Sequence, residues 1–126
     1  NLENEVFNFN IEKRFIYFIN DSSHASFRWF NLHEALPVFF NPKREIQSDS
    51  VEFYYSHVGG ATCDSCDFIY KDSFMPELEI GDYLIFRNMG SYNKTGALPF
   101  NDIHLPSTVF VSSKLFNEFI KKALFE

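Results

Sequence analysis

The run Val51-Glu52-Phe53-Tyr54-Tyr55-Ser56-His57-Val58 leads through Gly59-Gly60-Ala61-Thr62-Cys63-Asp64-Ser65-Cys66 into Asp67-Phe68-Ile69-Tyr70. Aromatic and β-branched residues dominate its first half. Alternation puts Val51, Phe53 and Tyr55 on one face and Glu52 and Tyr54 on the other, as a half-buried strand requires. Two glycines then free the backbone for a polar loop, after which the apolar run resumes. Strand, loop, strand is therefore the unit spelled here.

The same enrichment recurs at 6–9, 14–19, 83–87 and 108–111, and more weakly at 38–40 and 67–70. Segment 14–19 is apolar at nearly every position, which predicts burial on both faces. Breakers separate the segments: Asn20-Asp21-Ser22-Ser23, Asn41-Pro42, Gly81-Asp82 and Gly90-Ser91. The period then changes. Leu115, Phe116, Phe119, Ile120 and Leu124 recur at helical spacing behind Ser112 and Ser113, which can supply an N-cap. The expected fold is mainly β, a β-barrel or sandwich that covers its own strand edges, with a short C-terminal helix.

With 126 residues, the chain fits one domain over 1–126, since this length buries roughly two-thirds of its unfolded surface. The hydrophobic fraction is 45% and 17 residues are Phe, enough to exclude disorder. The net charge of −6 and the scattered Lys and Arg argue against nucleic-acid binding, which needs a basic stripe. No apolar run approaches the roughly 18 residues of a membrane span, and residues 1–10 lack the character of a signal peptide. A cytoplasmic location is expected. The chain lacks an initiator Met and soon enters strand-like sequence, as an excised piece would.

Cys63 and Cys66 form a C-x-x-C pair within the densest polar cluster. Zinc requires four ligands, and His57 and His104 stand at no recognisable spacing, so no metal site is expected. A thioredoxin-like motif would open a helix, whereas 67–70 continues like a strand. On spacing alone the default reading is two small buried hydrophobes.

The wider context changes that reading. Gly60-Ala61-Thr62-Cys63-Asp64-Ser65 is followed by Met75-Pro76-Glu77-Leu78-Glu79-Ile80-Gly81-Asp82-Tyr83, then Asn88-Met89-Gly90-Ser91-Tyr92 and Phe100-Asn101. In order and approximate spacing these resemble the C-terminal signatures of the ornithine decarboxylase family, within the pyridoxal-dependent ornithine, lysine, arginine and diaminopimelate decarboxylases: G-P-T-C-D-x-x-D, L-P-E-x-x-x-G-D-W, E-N-M-G-A-Y and F-N-G-F. Residues 15–27, F-I-Y-F-I-N-D-S-S-H-A-S-F, are similar to the family's Y-Y-V-N-D-G-V-Y-G-S-F. The likeness runs from about Phe15 to Val111.

The resemblance implies a Greek-key-like C-terminal β-domain of the alanine racemase and ornithine decarboxylase type. Its cofactor is pyridoxal 5′-phosphate (PLP), an electron sink for decarboxylation, after which an acid must protonate Cα. Cys63 matches the cysteine given that role, and a thiol mostly protonated at neutral pH can donate. Asp64 matches the aspartate that binds the substrate's distal ammonium, where a carboxylate offsets the cost of burying a cation; read from the residues alone, Asp64 is equally a turn cap. Tyr92 matches the tyrosine that contacts the PLP phosphate. Phe100 matches an aromatic residue lining the substrate's aliphatic stem, and Asp67 would be a structural acid. The resemblance further implies a homodimer with shared sites, in which Cys63 and Asp64 reach the partner's site and Tyr92 serves its own. The cofactor's lysine would lie in an N-terminal (β/α)8 barrel absent from these residues, leaving the fragment inactive by itself.

The match departs in places. The family's second substrate-binding aspartate aligns with His33, next to Glu34, and either could enter the pocket. A protonated His33 would oppose a diamine-like substrate, and a longer Glu34 would shorten the pocket. Ala61, Tyr83 and Arg87 replace the family's Pro, Trp and Glu, and Cys66 stands at a position that tends to be apolar. Three functions compete: an amino-acid decarboxylase making putrescine for polyamine biosynthesis, a non-catalytic homologue acting as a regulatory dimer partner, and a thiol or metal module.

Overall fold

The computed structural model describes residues 8–28, 37–46, 52–89 and 92–118. Five strands appear in chain order: β1 (Asn8–Phe18), β2 (Val38–Phe40), β3 (Glu52–Gly59), β4 (Phe68–Pro76) and β5 (Tyr83–Ile85). They form a three-stranded sheet in the order β1-β3-β4 and a two-stranded sheet of β2 and β5. β1 runs parallel to β3; the other pairings are antiparallel. The chain is thus mainly β. Among the described residues the sheets stay open and do not close into a barrel.

Two strands are longer than the sequence predicts. Segments 6–9 and 14–19 were expected to be separate, yet residues 8–18 form one strand whose register shifts between Asn10 and Arg14. Asn10 Oδ1 accepts the N–H groups of Glu12 and Lys13, so the polar interruption becomes a bulge. β4 extends past Tyr70 through Lys71-Asp72-Ser73, polar residues that hide its period. There Lys71 and Asp72 oppose His57 alone, because Ser73 pairs with Ser56 and Tyr70 with Val58. Asp72 takes a positive φ of 56°, and its N–H donates to His57 Nδ1. His57, once considered as a zinc ligand, anchors this bulge.

Alternation in β3 is as expected. Phe53, Tyr55, Phe74 and Phe9 share ring contacts on one face, while Tyr54 meets Phe15 on the other. The two-sided burial expected of 14–19 does not occur. Phe15, Tyr17 and Ile19 are half-buried, but Ile16 is 58% and Phe18 75% exposed, which leaves an apolar strand face open. A further correction concerns 108–111: these residues form no strand, and Val109, Phe110 and Val111 are exposed, so no ladder satisfies their backbone.

The core joins the two sheets. Phe39 of β2, Val58 of β3 and Ile69, Tyr70 and Met75 of β4 cluster with Phe27 and Ile46. Phe86, just past β5, packs edge-on to Phe27 and stacks on Tyr70. Beyond β5 come a single helical turn α1 (Asn93–Gly96), a 3-10 turn (Phe100–Asp102) and a helix α2 at 113–118. Ser112 Oγ accepts the N–H of Leu115, so the predicted N-cap is present. Phe119, Ile120 and Leu124 lie outside the described residues.

Candidate active site at the β3–β4 loop

The loop between β3 and β4 is built around one buried carboxylate. Asp67 is 3% exposed. Its Oδ2 accepts the N–H and hydroxyl of Thr62 at 3.0 and 2.6 Å, and its Oδ1 accepts the N–H of Ser23 at 2.7 Å. Gly60 N–H donates to the Asp67 carbonyl, closing the loop's base. A Cβ on Gly60 would sit 2.2 Å from both Asp67 carboxylate oxygens, so only glycine fits there. Burial pushes the Asp67 carboxyl up, but the donors from Thr62 and Ser23 outweigh it and hold it below the ordinary range. The expected structural acid is thus the post on which the loop stands.

A second loop, 19–28, is tied to the first. Ile19 N–H donates to Gly59 O, and Ala61 N–H to Asp21 O at 2.8 Å. Asp21 Oδ1 in turn accepts the N–H groups of Ser22 and Ser26. The N-D motif is therefore a brace for the Cys63-Asp64 segment.

On this base the reactive side chains are presented outward. Cys63 and Cys66 are free thiols, and both are exposed. That contradicts the default of buried hydrophobes, because the loop's hydrogen-bonded base leaves its rim in solvent. Asp64 Oδ1 accepts the Cys66 N–H at 2.8 Å, and Asp64 Oδ2 meets His24 Nε2 at 2.8 Å. The Cys66 N–H, then His24, hold the Asp64 carboxyl below the usual range, so it is an anion at neutral pH. Asp64 is both a turn cap and an available charge.

The 98–101 segment completes the cluster. Leu98 N–H donates to His24 O at 2.7 Å. The Phe100 ring stacks on His24 with centroids 4.2 Å apart, and Asn101 Nδ2 donates to Cys63 Sγ. Cys63 and Asp64 of one motif and Phe100 of another therefore converge. Asn101 and Asp102 adopt positive φ of 56° and 60°, the latter where the family motif carries glycine. Tyr92 enters none of these contacts; it is 76% exposed, with φ 61° at the start of α1. His33 and Glu34 lie outside the described residues.

Sequence reasoning missed His24 and Asn101. His24 stands at the tyrosine of Y-G-S-F, and Asn101 is the second residue of F-N; both signals lay within quoted motifs, but partners 40 and 38 residues away leave no local period.

Residues 3–90 match the family described as pyridoxal-dependent decarboxylase, C-terminal sheet domain. The chain belongs to this family. It is 34% identical to ornithine decarboxylase of Cricetulus griseus over 82% of this chain and 22% of that protein. It is 32% identical to antizyme inhibitor 1 of Mus musculus over 89% of this chain and 26% of that protein. The arginine decarboxylase of Paramecium bursaria Chlorella virus, solved with agmatine bound, superposes with a TM-score of 0.59 at 31% identity, covering 70% of this chain and 23% of that one. The chain spans about a quarter of the length of these decarboxylase-family relatives.

A second aspartate, Asp82, whose side chain is only 2% exposed, closes the G-D-Y turn. Asp82 accepts from Asn41 Nδ2 at 2.6 Å, from the Glu79 N–H at 2.8 Å and from Arg44. Burial raises its pKa, but Asn41, the Glu79 N–H and Arg44 together lower it below the ordinary value. This motif residue holds the fold and takes no part in the Cys63 cluster. Among the described residues no helix is long and apolar enough to cross a membrane.

Proposed function

We propose that this domain completes the active site of a PLP-dependent amino-acid decarboxylase of the ornithine decarboxylase type, which forms putrescine for polyamine biosynthesis in the cytoplasm. The observation that carries this reading is the convergence of an exposed thiol and an anionic carboxylate from the β3–β4 loop with an aromatic ring from the 98–101 segment, joined through His24 on one hydrogen-bonded base. PLP, when bound, supplies the electron sink for loss of CO2. Cys63 then returns a proton to the substrate Cα, with Asn101 holding Sγ. Asp64 anchors the distal ammonium, and Phe100 lines the aliphatic stem between them. Glu34 and His33 are secondary candidates for the far end of that pocket.

The residues present suit the cofactor. The exposed Cys63 thiol is free to reach a group outside its own domain, and the exposed Tyr92 can offer a hydroxyl to a phosphate. Their placement on different segments supports a homodimer in which Cys63 and Asp64 serve the partner's site and Tyr92 its own. The open apolar face of β1 supports a neighbouring N-terminal (β/α)8 barrel carrying the cofactor's lysine, and a closed barrel for this domain in the intact protein.

A second reading, a non-catalytic regulatory dimer partner, is favoured by the likeness to antizyme inhibitor 1. Titration of the full-length protein with PLP, followed by amine release from ornithine, lysine and arginine, separates the two. Visible absorbance of bound PLP together with diamine product is expected. A full-length protein that binds no PLP overturns the decarboxylase reading in favour of the regulator.

A further inference from the structure

His24 is wired between two charges of opposite sign. Arg28 Nη1 lies 3.3 Å from His24 Nδ1, and His24 Nε2 lies 2.8 Å from Asp64 Oδ2. A guanidinium can only donate, so Nδ1 must accept, and the single imidazole proton then sits on Nε2 and donates to Asp64. The Nε2–H tautomer satisfies both contacts at once. Stacking on Phe100 at 4.2 Å and 23°, and the Leu98 N–H on His24 O, fix the plane of the ring. The ionisable groups in contact with its ring are Arg28 on its own loop and Asp64 on the β3–β4 loop, and the 98–101 segment presents Phe100, which carries no charge.

From this wiring we infer that His24 is a positioning and specificity-determining residue: a neutral imidazole that orients the Asp64 carboxylate by donation without neutralising it, keeping it selective for substrates with a cationic distal end. The inference rests on the decarboxylase reading and extends it to a residue where the family motif has tyrosine. A tyrosine hydroxyl there would have to accept from Arg28 and donate to Asp64 through a single oxygen, whereas the imidazole divides the two roles between Nδ1 and Nε2. Each Asp64 oxygen already takes one donor, from Cys66 or His24, which sets the carboxylate plane and leaves further lone pairs for an ammonium.

The test uses the full-length enzyme with ornithine and with norleucine, which lacks the terminal cation. H24F keeps the stack on Phe100 but loses the donor, and is expected to raise KM for ornithine about tenfold, with a smaller change in kcat and little change for norleucine. H24Q retains an N–H donor and is expected to recover most of that loss. Equal losses in H24F and H24Q, or equal effects on both substrates, would show a merely structural role and overturn the inference. In 15N spectra of histidine-labelled protein at neutral pH, assigned by difference from H24Q, the His24 resonance is expected as the Nε2–H tautomer. An Nδ1–H or cationic ring overturns the wiring. A wild type that decarboxylates no amino acid, yet shows the Nε2–H tautomer, overturns the decarboxylase reading and the substrate role with it while sustaining the wiring.

Discussion

Two turns of this domain are closed by a buried aspartate, and they differ in what stands on them. Asp67 gathers the N–H groups of Ser23 and Thr62 and the Thr62 hydroxyl, and so clamps two loops together. Asp82 gathers Asn41, Arg44 and the Glu79 N–H at the turn before β5. The devices are alike: a carboxylate replaces a backbone ladder where the chain reverses. Above Asp67, however, stand Cys63, Asp64 and His24, whereas the groups around Asp82 serve only to join β4, β5 and the segment after β2. A rigid base supporting exposed polar side chains is what a functional site needs, since the geometry must be set before the ligand arrives. The same base with nothing above it is a fold element.

The largest effect is expected from Asp67→Ala, which strands three half-buried donors and should cost about 3 kcal/mol in denaturant unfolding. Turnover of the full-length protein should fall as well, because Cys63 and Asp64 lose their support. Gly60→Ala forces a Cβ onto the same carboxylate and should cost about 2 kcal/mol. In a double-mutant cycle the two changes should be far from additive, because removing Asp67 clears the clash. Additive costs would mean that Gly60 is required for another reason.

Asp82→Asn should cost roughly 1 to 2 kcal/mol, since the amide keeps some hydrogen bonds but loses the charge facing Arg44. It should leave kcat/KM within about twofold of wild type; a large kinetic loss would erase the distinction between the two turns. Gly81→Ala meets open space and only a φ of +101°, so about 1 kcal/mol of backbone strain is expected.

Smallest is the acid response. Asp67 and Asp82 have folded pKa values below their unfolded ones. Their contribution is complete above the ordinary carboxylate pKa near ~4 and is lost as pH falls through the lower folded values. Unfolding measured from neutral pH downward should show that loss, and Asp82→Asn should flatten it; an unchanged slope would place the acid sensitivity elsewhere.

What the sequence made legible was what depends on local pattern. The aromatic alternation over 52–58 and the apolar run at 38–40 became β3 and β2, while Val51 lies outside the described residues. The spacing of Ser112 to Leu115 became a capped first turn. Long-range effects were hidden: Asn10 and Lys71-Asp72 interrupt the apolar pattern yet stand at bulges, because Asn10 Oδ1 and His57 Nδ1 supply what the ladder loses. At 108–111 the strand propensity was present and a pairing partner among the described residues was not. In the site, motif order marked Cys63, Asp64 and Phe100, while His24 and Arg28 declare themselves only through contacts across the fold. Tyr92 was equally legible as a motif residue, yet it enters none of their contacts.

The central claim is that the Cys63 rim of the Asp67-clamped loop does chemistry. Full-length Cys63→Ala, assayed for CO2 and amine release, tests it most directly. Turnover is expected to fall by about 10²-fold or more, with folding stability within about 0.5 kcal/mol of wild type and PLP still bound. Unchanged turnover and unchanged product would contradict it.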